Sequence, residues 1–252
     1  MSKNVHIVYK NPGETPLECL KSFRQAIPEY STEKMTYAGR LDPLAEGLLI
    51  ILVGDGIKEK ERYLSLGKEY EVEIIFGFST DTFDVLGKVA GISENLPGSD
   101  SGAILQKFLG KRSQKYPPFS SKTVKGEHLH SLSRAGKMSD EELPERQVEI
   151  YSLKMLQHSK ISGAELLLKI ENGISKVKGD FRQEEILGIW REKINKKQFF
   201  PVWKISVSCG SGTYMRRLAD EIGLALDTHA LALSIKRTKI GEYGLRDVSF
   251  RN

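Results

Sequence analysis

The chain has 252 residues, 39% of them hydrophobic and 28% charged, which supplies one large domain with its own core and excludes global disorder. A formal charge of +5 with a pI near 9.0 permits an acidic partner such as nucleic acid without requiring one. Two distant cysteines, Cys19 and Cys209, and five histidines without an HExxH spacing predict neither a disulfide framework nor a zinc site, and His128 with His130 reads as a polar loop.

Met1 to Asn4 lead directly into the alternation of Val5, Ile7 and Tyr9, a short strand with no signal peptide before it. Thr15, Pro16 and Glu18 mark a helix start: threonine can cap, proline suits the first helical position, and Glu18 completes a capping box. Leu17, Leu20, Phe23, Arg24 and Ile27 continue that helix until Pro28 ends it. Ala38 to Gly47 carries Gly39, Asp42-Pro43 and Gly47 and is predicted to be a loop. Leu48 to Val53 follows as a buried strand; it is the longest apolar run and too short for a bilayer, so no membrane association and a cytoplasmic location are expected. Lys58 to Leu64 reads as a short helix.

Lys68 to Phe76 is the clearest strand, with Tyr70, Val72, Ile74 and Phe76 on one face and Glu69, Glu71 and Glu73 on the other. Gly77 to Gly87 reads as a loop and Ala103 to Leu109 as a helix. Lys111 to Lys137 is the most basic stretch, with Lys111, Arg112, Lys115, Lys122, Lys125, Arg134 and Lys137 interleaved by Tyr116 and Phe119. Strands are predicted at Val148–Leu156 and Glu165–Ile170, a helix over Phe181 to Ile194, and a strand over Val202 to Cys209. Met215, Leu218, Ala219 and Ile222 place a helix over Tyr214 to Leu226, and Thr228 to Asn252 reads as a short helix followed by a strand. The absence of a βαβα rhythm predicts an α+β fold, a mixed and mainly antiparallel central sheet flanked by helices and loops. Residues 1–252 contain no repeat or linker and read as one domain.

Gly39-Arg40-Leu41-Asp42-Pro43-Leu44-Ala45-Glu46-Gly47-Leu48-Leu49 resembles the catalytic loop of pseudouridine synthases. Its LDPLA-x-G form resembles the branch that modifies uridine 55 in the TΨC arm of tRNA, the TruB family. Three further blocks resemble that family in its own order. They are Lys68-Glu69-Tyr70 with Gly77-Phe78-Ser79-Thr80-Asp81-Thr82-Phe83-Asp84, then Tyr116-Pro117-Pro118-Phe119-Ser120-Ser121-Lys122, then Ser208-Cys209-Gly210-Ser211-Gly212-Thr213-Tyr214-Met215-Arg216. The blocks span most of residues 4 to 245.

The resemblance implies the pseudouridine synthase fold and a monomeric isomerase that needs no cofactor or metal and takes the TΨC stem-loop of tRNA as substrate. Such an enzyme detaches uracil from ribose, turns it and rejoins it through carbon, which calls for a carboxylate beside the sugar. Asp42 is implied as that carboxylate, Tyr70 as the residue against the flipped uracil, and Arg216 as the partner that keeps Asp42 ionised. Without the resemblance, Asp42-Pro43 reads as a turn, Tyr70 as a core tyrosine, and Arg216 as a surface partner of Asp220, with Arg217 facing solvent or phosphate.

Tyr37, Lys10, Tyr214, Lys122 and Arg40 are implied as the substrate- or RNA-binding set. Lys10, in a segment where Asn11 and Pro16 depart from the family pattern, also reads as packing beneath the catalytic loop. Tyr37 stands where the family usually has a histidine, keeping an aromatic platform and losing a histidine-specific contact. The stretch near 111–140 resembles the family's RNA-gripping insertion, residues near 159–197 read as a further insertion, and no separate C-terminal PUA domain is expected. A catalytically silent RNA-binding or chaperone protein of the same fold is the alternative. Gly210-Ser211-Gly212-Thr213 lacks the lysine and spacing of a P-loop, and Ser211 has no G-x-S-x-G frame.

Overall fold

A ten-stranded sheet forms the body of the molecule. The computed structural model describes residues 4–124, 126–139 and 142–251. In chain order the elements are β1 (Val5–Lys10), α1 (Pro16–Ala26), β2 (Met35–Ala38), β3 (Glu46–Val53), α2 (Lys60–Ser65), β4 (Lys68–Phe76), β5 (Phe78–Thr80), β6 (Val89–Ile92) and β7 (Gly110–Lys115). There follow β8 (Thr123–Val124), β9 (Glu127–His128), α3 (Leu129–Arg134), β10 (Glu145–Ser162), α4 (Gly163–Ile174), α5 (Gln183–Lys193), β11 (Phe199–Cys209), α6 (Met215–Leu224), β12 (Ala230–Ile240), β13 (Tyr243–Gly244) and β14 (Phe250–Arg251).

The main sheet runs β14-β1-β3-β12-β4-β11-β10-β7, with β2 on β3 and β13 on β12. Among the described strands of this sheet only β1·β14 and β3·β12 pair in parallel, so the sheet is mixed and mainly antiparallel, as the sequence predicts. Alternation along β4 decides what covers each face. Tyr70, Val72, Ile74 and Phe76 pack with Trp203, Ile205 and Val207 of β11 beneath Met215, Leu218, Ala219 and Ile222 of α6. Ile75, with Phe200, Val202, Leu231 and Leu233, faces the other way, onto α4 and α5.

The capping box at Thr15 and Glu18 forms, but Leu17 is half exposed; Pro16, Cys19, Leu20 and Phe23 are the buried residues of α1. Both cysteines are buried and free. Among the described residues no helix is long and apolar enough to cross a membrane.

Several local expectations are corrected. Glu165–Ile170 is helical within α4, because Ser162 and Glu165 form a reciprocal capping box and Leu166, Leu167, Ile170 and Ile174 repeat at helical spacing. The helix expected after Thr228 is the strand β12, whose Ala-Leu alternation is hidden because both faces are buried. Lys58–Leu64 divides into a 3₁₀ turn ending at Glu59 and α2, and Ala103–Leu109 falls mostly in a 3₁₀ segment, Ser99–Phe108. The predicted loop Gly77–Gly87 contains β5, which pairs with β6. His128 ends β9 and its ring stacks on that of His130 in α3. Lys125 of the basic stretch lies outside the described residues.

Candidate active site

Four of the predicted blocks converge on one cleft of about 960 Å³, large enough for a displaced nucleotide. Asp42 sits in the loop between β2 and β3. Gly39 and Gly47 flank it with φ of +83° and +109°, and a Cβ on Gly47 would lie 2.2 Å from the Arg237 carbonyl oxygen. Glycine is therefore required where β3 comes to lie beside β12.

The loop is held from beneath by two buried cations. Lys10, at the end of β1, is fully buried, and its ammonium donates to the carbonyls of Asn11 (2.9 Å), Pro43 (3.1 Å) and Ala45 (2.5 Å). This is the packing role. The RNA contact also expected of Lys10 has no room, since the side chain faces the protein interior. Burial draws its pKa down to about 8. Arg237, pointing in from β12, donates through Nε to the Leu48 carbonyl (2.7 Å), through Nη1 to that of Arg40 (3.2 Å), and through Nη2 to that of Gly39 (3.5 Å).

Arg216 lies in the first turn of α6, positioned by the chain's exit from Gly210–Tyr214. Gln114 of β7 fixes that exit by accepting from the Tyr214 amide (2.9 Å) and donating to the Tyr214 carbonyl (3.2 Å). The guanidinium grips Asp42 with both arms of its fork, Nε to Oδ2 at 2.7 Å and Nη2 to Oδ1 at 3.0 Å. Its remaining donors meet the carbonyls of Thr82 (2.8 Å) and Phe119 (3.3 Å). Arg216 is 4% exposed and Asp42 35%, so the arginine is locked while the carboxylate still faces the cleft. The surface pair with Asp220 is not formed; Asp220 instead pairs with Arg217 at 3.3 Å. Arg217, expected to face solvent or phosphate, is itself buried, with its guanidinium over the Phe83 ring at 5.0 Å.

Asp84 is a second carboxylate on the same arginine, 3.6 Å from Arg216 Nε. It accepts from the Thr82 hydroxyl (2.6 Å) and the Leu86 amide (2.9 Å). Burial, against the pull of Arg216 and with the push of Asp42, raises its pKa to about 6. Tyr70, opposite Arg237 on neighbouring strands, is buried at the cleft wall, and burial pushes its phenol above the ordinary tyrosine range. Tyr214 lies edge-on to Tyr116 with centroids 5.6 Å apart, and Lys122 is 5.5 Å from the Tyr116 ring. Tyr37 and the exposed Arg40 line the mouth.

Asp42, Tyr70, Arg216, Tyr37, Arg40 and Tyr214 thus share one cleft, while Lys122 stands on the neighbouring lobe. Sequence reasoning left Arg237 and Asp84 out of the site. Arg237 stands among Lys236, Thr238 and Lys239, so its charge did not single it out in the sequence. Asp84 stood within a quoted motif, but nothing in its spacing separates it from Asp81. Among the described residues, no group of three or more histidine, cysteine or acidic side chains is arranged to hold a metal ion.

The family model for TruB family pseudouridylate synthase (N terminal domain) matches residues 28–176. The chain is 29% identical over 248 residues to tRNA pseudouridine synthase B of Borreliella afzelii, spanning 98% of this chain and 73% of that protein. It is 31% identical to tRNA pseudouridine synthase B of Listeria innocua, spanning 95% of this chain and 67% of that one. Among solved structures, a Cbf5-Nop10-Gar1 complex matches with a TM-score of 0.58 at 19% identity, over 96% of this chain and 50% of that chain. An H/ACA RNP bound to a substrate RNA containing 2'-deoxyuridine matches with a TM-score of 0.57 at 17% identity, over 98% of this chain and 50% of that chain. The chain spans about half the length of these structural neighbours, and at such identities the likeness speaks to the fold.

Proposed function

The chain belongs to the TruB family of pseudouridylate synthases, and from that premise we propose that it is a tRNA pseudouridine synthase acting on uridine 55 of the TΨC loop. The observation that carries the reading is the Asp42–Arg216 pair: a cleft-facing carboxylate held through both oxygens by a buried guanidinium. The reaction breaks the bond between uracil nitrogen and the sugar, turns the base, and joins a ring carbon to the same sugar carbon, that ring carbon losing its proton and the freed nitrogen gaining one. One anionic oxygen beside the reacting nucleotide serves this chemistry, and Asp42 supplies it. Arg216 fixes its direction with two charge-assisted bonds.

The base reaches Asp42 only after leaving the folded RNA loop, and Tyr70 offers the ring face against which displaced uracil rests. Arg40, Tyr37 and Tyr214 at the mouth, with Lys122 on the basic 111–140 lobe, meet the surrounding RNA. In this reading the enzyme works as a cytoplasmic monomer and needs no cofactor or metal.

Incubation of the purified protein with a TΨC stem-loop RNA, followed by chemical mapping of pseudouridine, tests the reading. One uridine is expected to convert, and Asp42→Asn is expected to lower turnover more than about 1,000-fold while RNA is still bound. Intact uridines with the native protein, or full turnover by Asp42→Asn, overturn it; the first result with tight binding favours the silent RNA-binding alternative.

A further inference from the structure

The helix pair α4–α5 belongs to the segment near 159–197 for which the sequence offered no purpose. Its inner face is apolar: Leu166, Ile170, Ile186 and Trp190 are fully or almost fully buried against the sheet. The Trp190 indole nitrogen donates to the Val85 carbonyl at 3.2 Å, one residue beyond Asp84. The connector between the two helices ends at Arg182, which lines the cleft.

Arg182 makes two contacts there. Its Nη1 meets Asp81 Oδ2 at 2.7 Å, and its guanidinium lies 4.7 Å from the centre of the Phe119 ring. The side chain is 16% exposed, so these contacts are largely shielded from water. Asp81 adjoins Thr82. The carbonyls of Thr82 and Phe119 are the two backbone acceptors that hold Arg216. Arg182 therefore braces, from outside, both segments that orient Arg216, and Arg216 orients Asp42. It does so from a left-handed backbone position, φ +63°, which side-chain-bearing residues seldom adopt. A loop chosen for folding ease would place glycine there.

Resting on the pseudouridine synthase reading, we propose that the α4–α5 insertion is a buttress for the catalytic ion pair and that Arg182 is its positioning residue, setting the Asp42–Arg216 geometry through Asp81 and Phe119. The insertion packs behind the 81–86 segment with Trp190 and clamps its front end with Arg182, so the carbonyls of Thr82 and Phe119 stay at a fixed separation. The contacts of the Arg182 guanidinium are with Asp81 and Phe119, not with Asp42. Its removal acts on turnover more than on substrate affinity.

The test uses the full chain and Arg182→Gly. Glycine adopts a positive φ without strain, so the start of α5 keeps its path and only the guanidinium is lost. The expected result is a melting temperature unchanged or raised, kcat on the TΨC stem-loop lowered between about 10- and 100-fold, and KM changed less than about threefold. Arg182→Lys, which keeps the charge for Asp81 but not the planar stack on Phe119, is expected to recover part of kcat. The second measurement needs no substrate: hydrogen exchange of the Arg216 Nε–H, assigned by its loss in Arg216→Lys, is expected to quicken at least about tenfold in Arg182→Gly. Unchanged kcat and unchanged exchange overturn the proposal, as does a loss of kcat matched by a fall in melting temperature. If the native protein converts no uridine, the functional reading falls, and the Arg216 exchange rate alone still decides whether Arg182 positions the pair.

Discussion

Asp84 offers a prediction whose size follows from the structure. Its carboxyl is shut away from water and shares Arg216 with Asp42, and its pKa is about 6 instead of 3.8. The rise corresponds to about 3 kcal/mol. Because the folded value lies above the unfolded one, the folded protein holds this proton more tightly. The associated stability is fully present below about pH 4, declines as pH rises, and is gone above about pH 6. Asp84→Asn keeps the shape, an acceptor for the Thr82 hydroxyl and the Leu86 amide, and permanent neutrality. The difference in unfolding free energy between Asp84→Asn and the native protein is therefore expected to move in favour of the variant by about 3 kcal/mol between pH 4 and pH 7.5. Urea unfolding of both proteins at half-unit pH steps measures this directly, and taking the difference cancels groups common to both. Parallel stability curves across that range would mean that Arg216 fully compensates Asp84, and the account of the site as one arginine shared between two unequal carboxylates would fail. In the same samples turnover should fall even as stability rises, because Arg216 loses a counter-charge on one side.

Three further outcomes are expected. Arg216→Lys keeps the charge but cannot bond both oxygens of Asp42 or reach the Thr82 and Phe119 carbonyls together, so single-turnover pseudouridine formation should fall on the order of 100-fold; a loss under threefold refutes the two-armed grip. Gly47→Ala forces a side chain into φ +109° and against the Arg237 carbonyl, which should cost about 3 kcal/mol and lower Tm by roughly 6–12 °C in a thermal melt; an unchanged Tm refutes the close approach of β3 to β12. Binding of the stem-loop RNA should weaken at least about tenfold between 50 and 200 mM salt in a filter assay, and a flat response removes the phosphate-binding role given to the basic lobe.

How much of this was legible in the sequence depended on whether the cause was local. The capping box at Thr15, the alternation along Lys68–Phe76 and the glycines around Asp42 are set by neighbours in the chain, and each appears where it was read. Glu165–Ile170 was legible but misread, because a strand was inferred from apolar content when the Ser162 cap and the four-residue repeat already favoured a helix. The start of the strand Ala230–Ile240 was hidden for a different reason: flanked by β3 and β4, its residues Ala230 to Leu233 are buried on both faces and show no polar alternation. The resemblance of four ordered blocks drew attention to Asp42, Tyr70 and Arg216. It did not reveal the roles of Arg237 and Arg182, because what they touch lies 197 and 101 residues away in the chain.

The cations around the cleft floor pose a physical question that their hydrogen bonds alone do not answer. In the loop between β2 and β3 the carbonyls of Gly39, Arg40, Pro43 and Ala45 each accept from Arg237 or Lys10, that of Pro43 also from the Gly13 amide at 2.8 Å. An asparagine, serine or ordered water satisfies a carbonyl equally well, at far lower desolvation cost than a buried ammonium. The cost is visible in Lys10 and Lys68, both drawn down to about 8 by burial. Charge, then, and not only bond count, is what the site retains. Lys10 and Arg237 lie beneath the Asp42 loop and Arg216 on its carboxylate, so the field at that carboxylate is positive from below while its free side faces the cleft. Such a field favours an anionic oxygen at the one place where the proposed reaction uses one. It also favours the approach of a phosphate backbone to the mouth. Asp84, behind Arg216, marks the limit of that field: burial raises its pKa to about 6 although Arg216 pulls it down, so at neutral pH one arginine is shared by two carboxylates of which Asp42 is the one that faces the cleft.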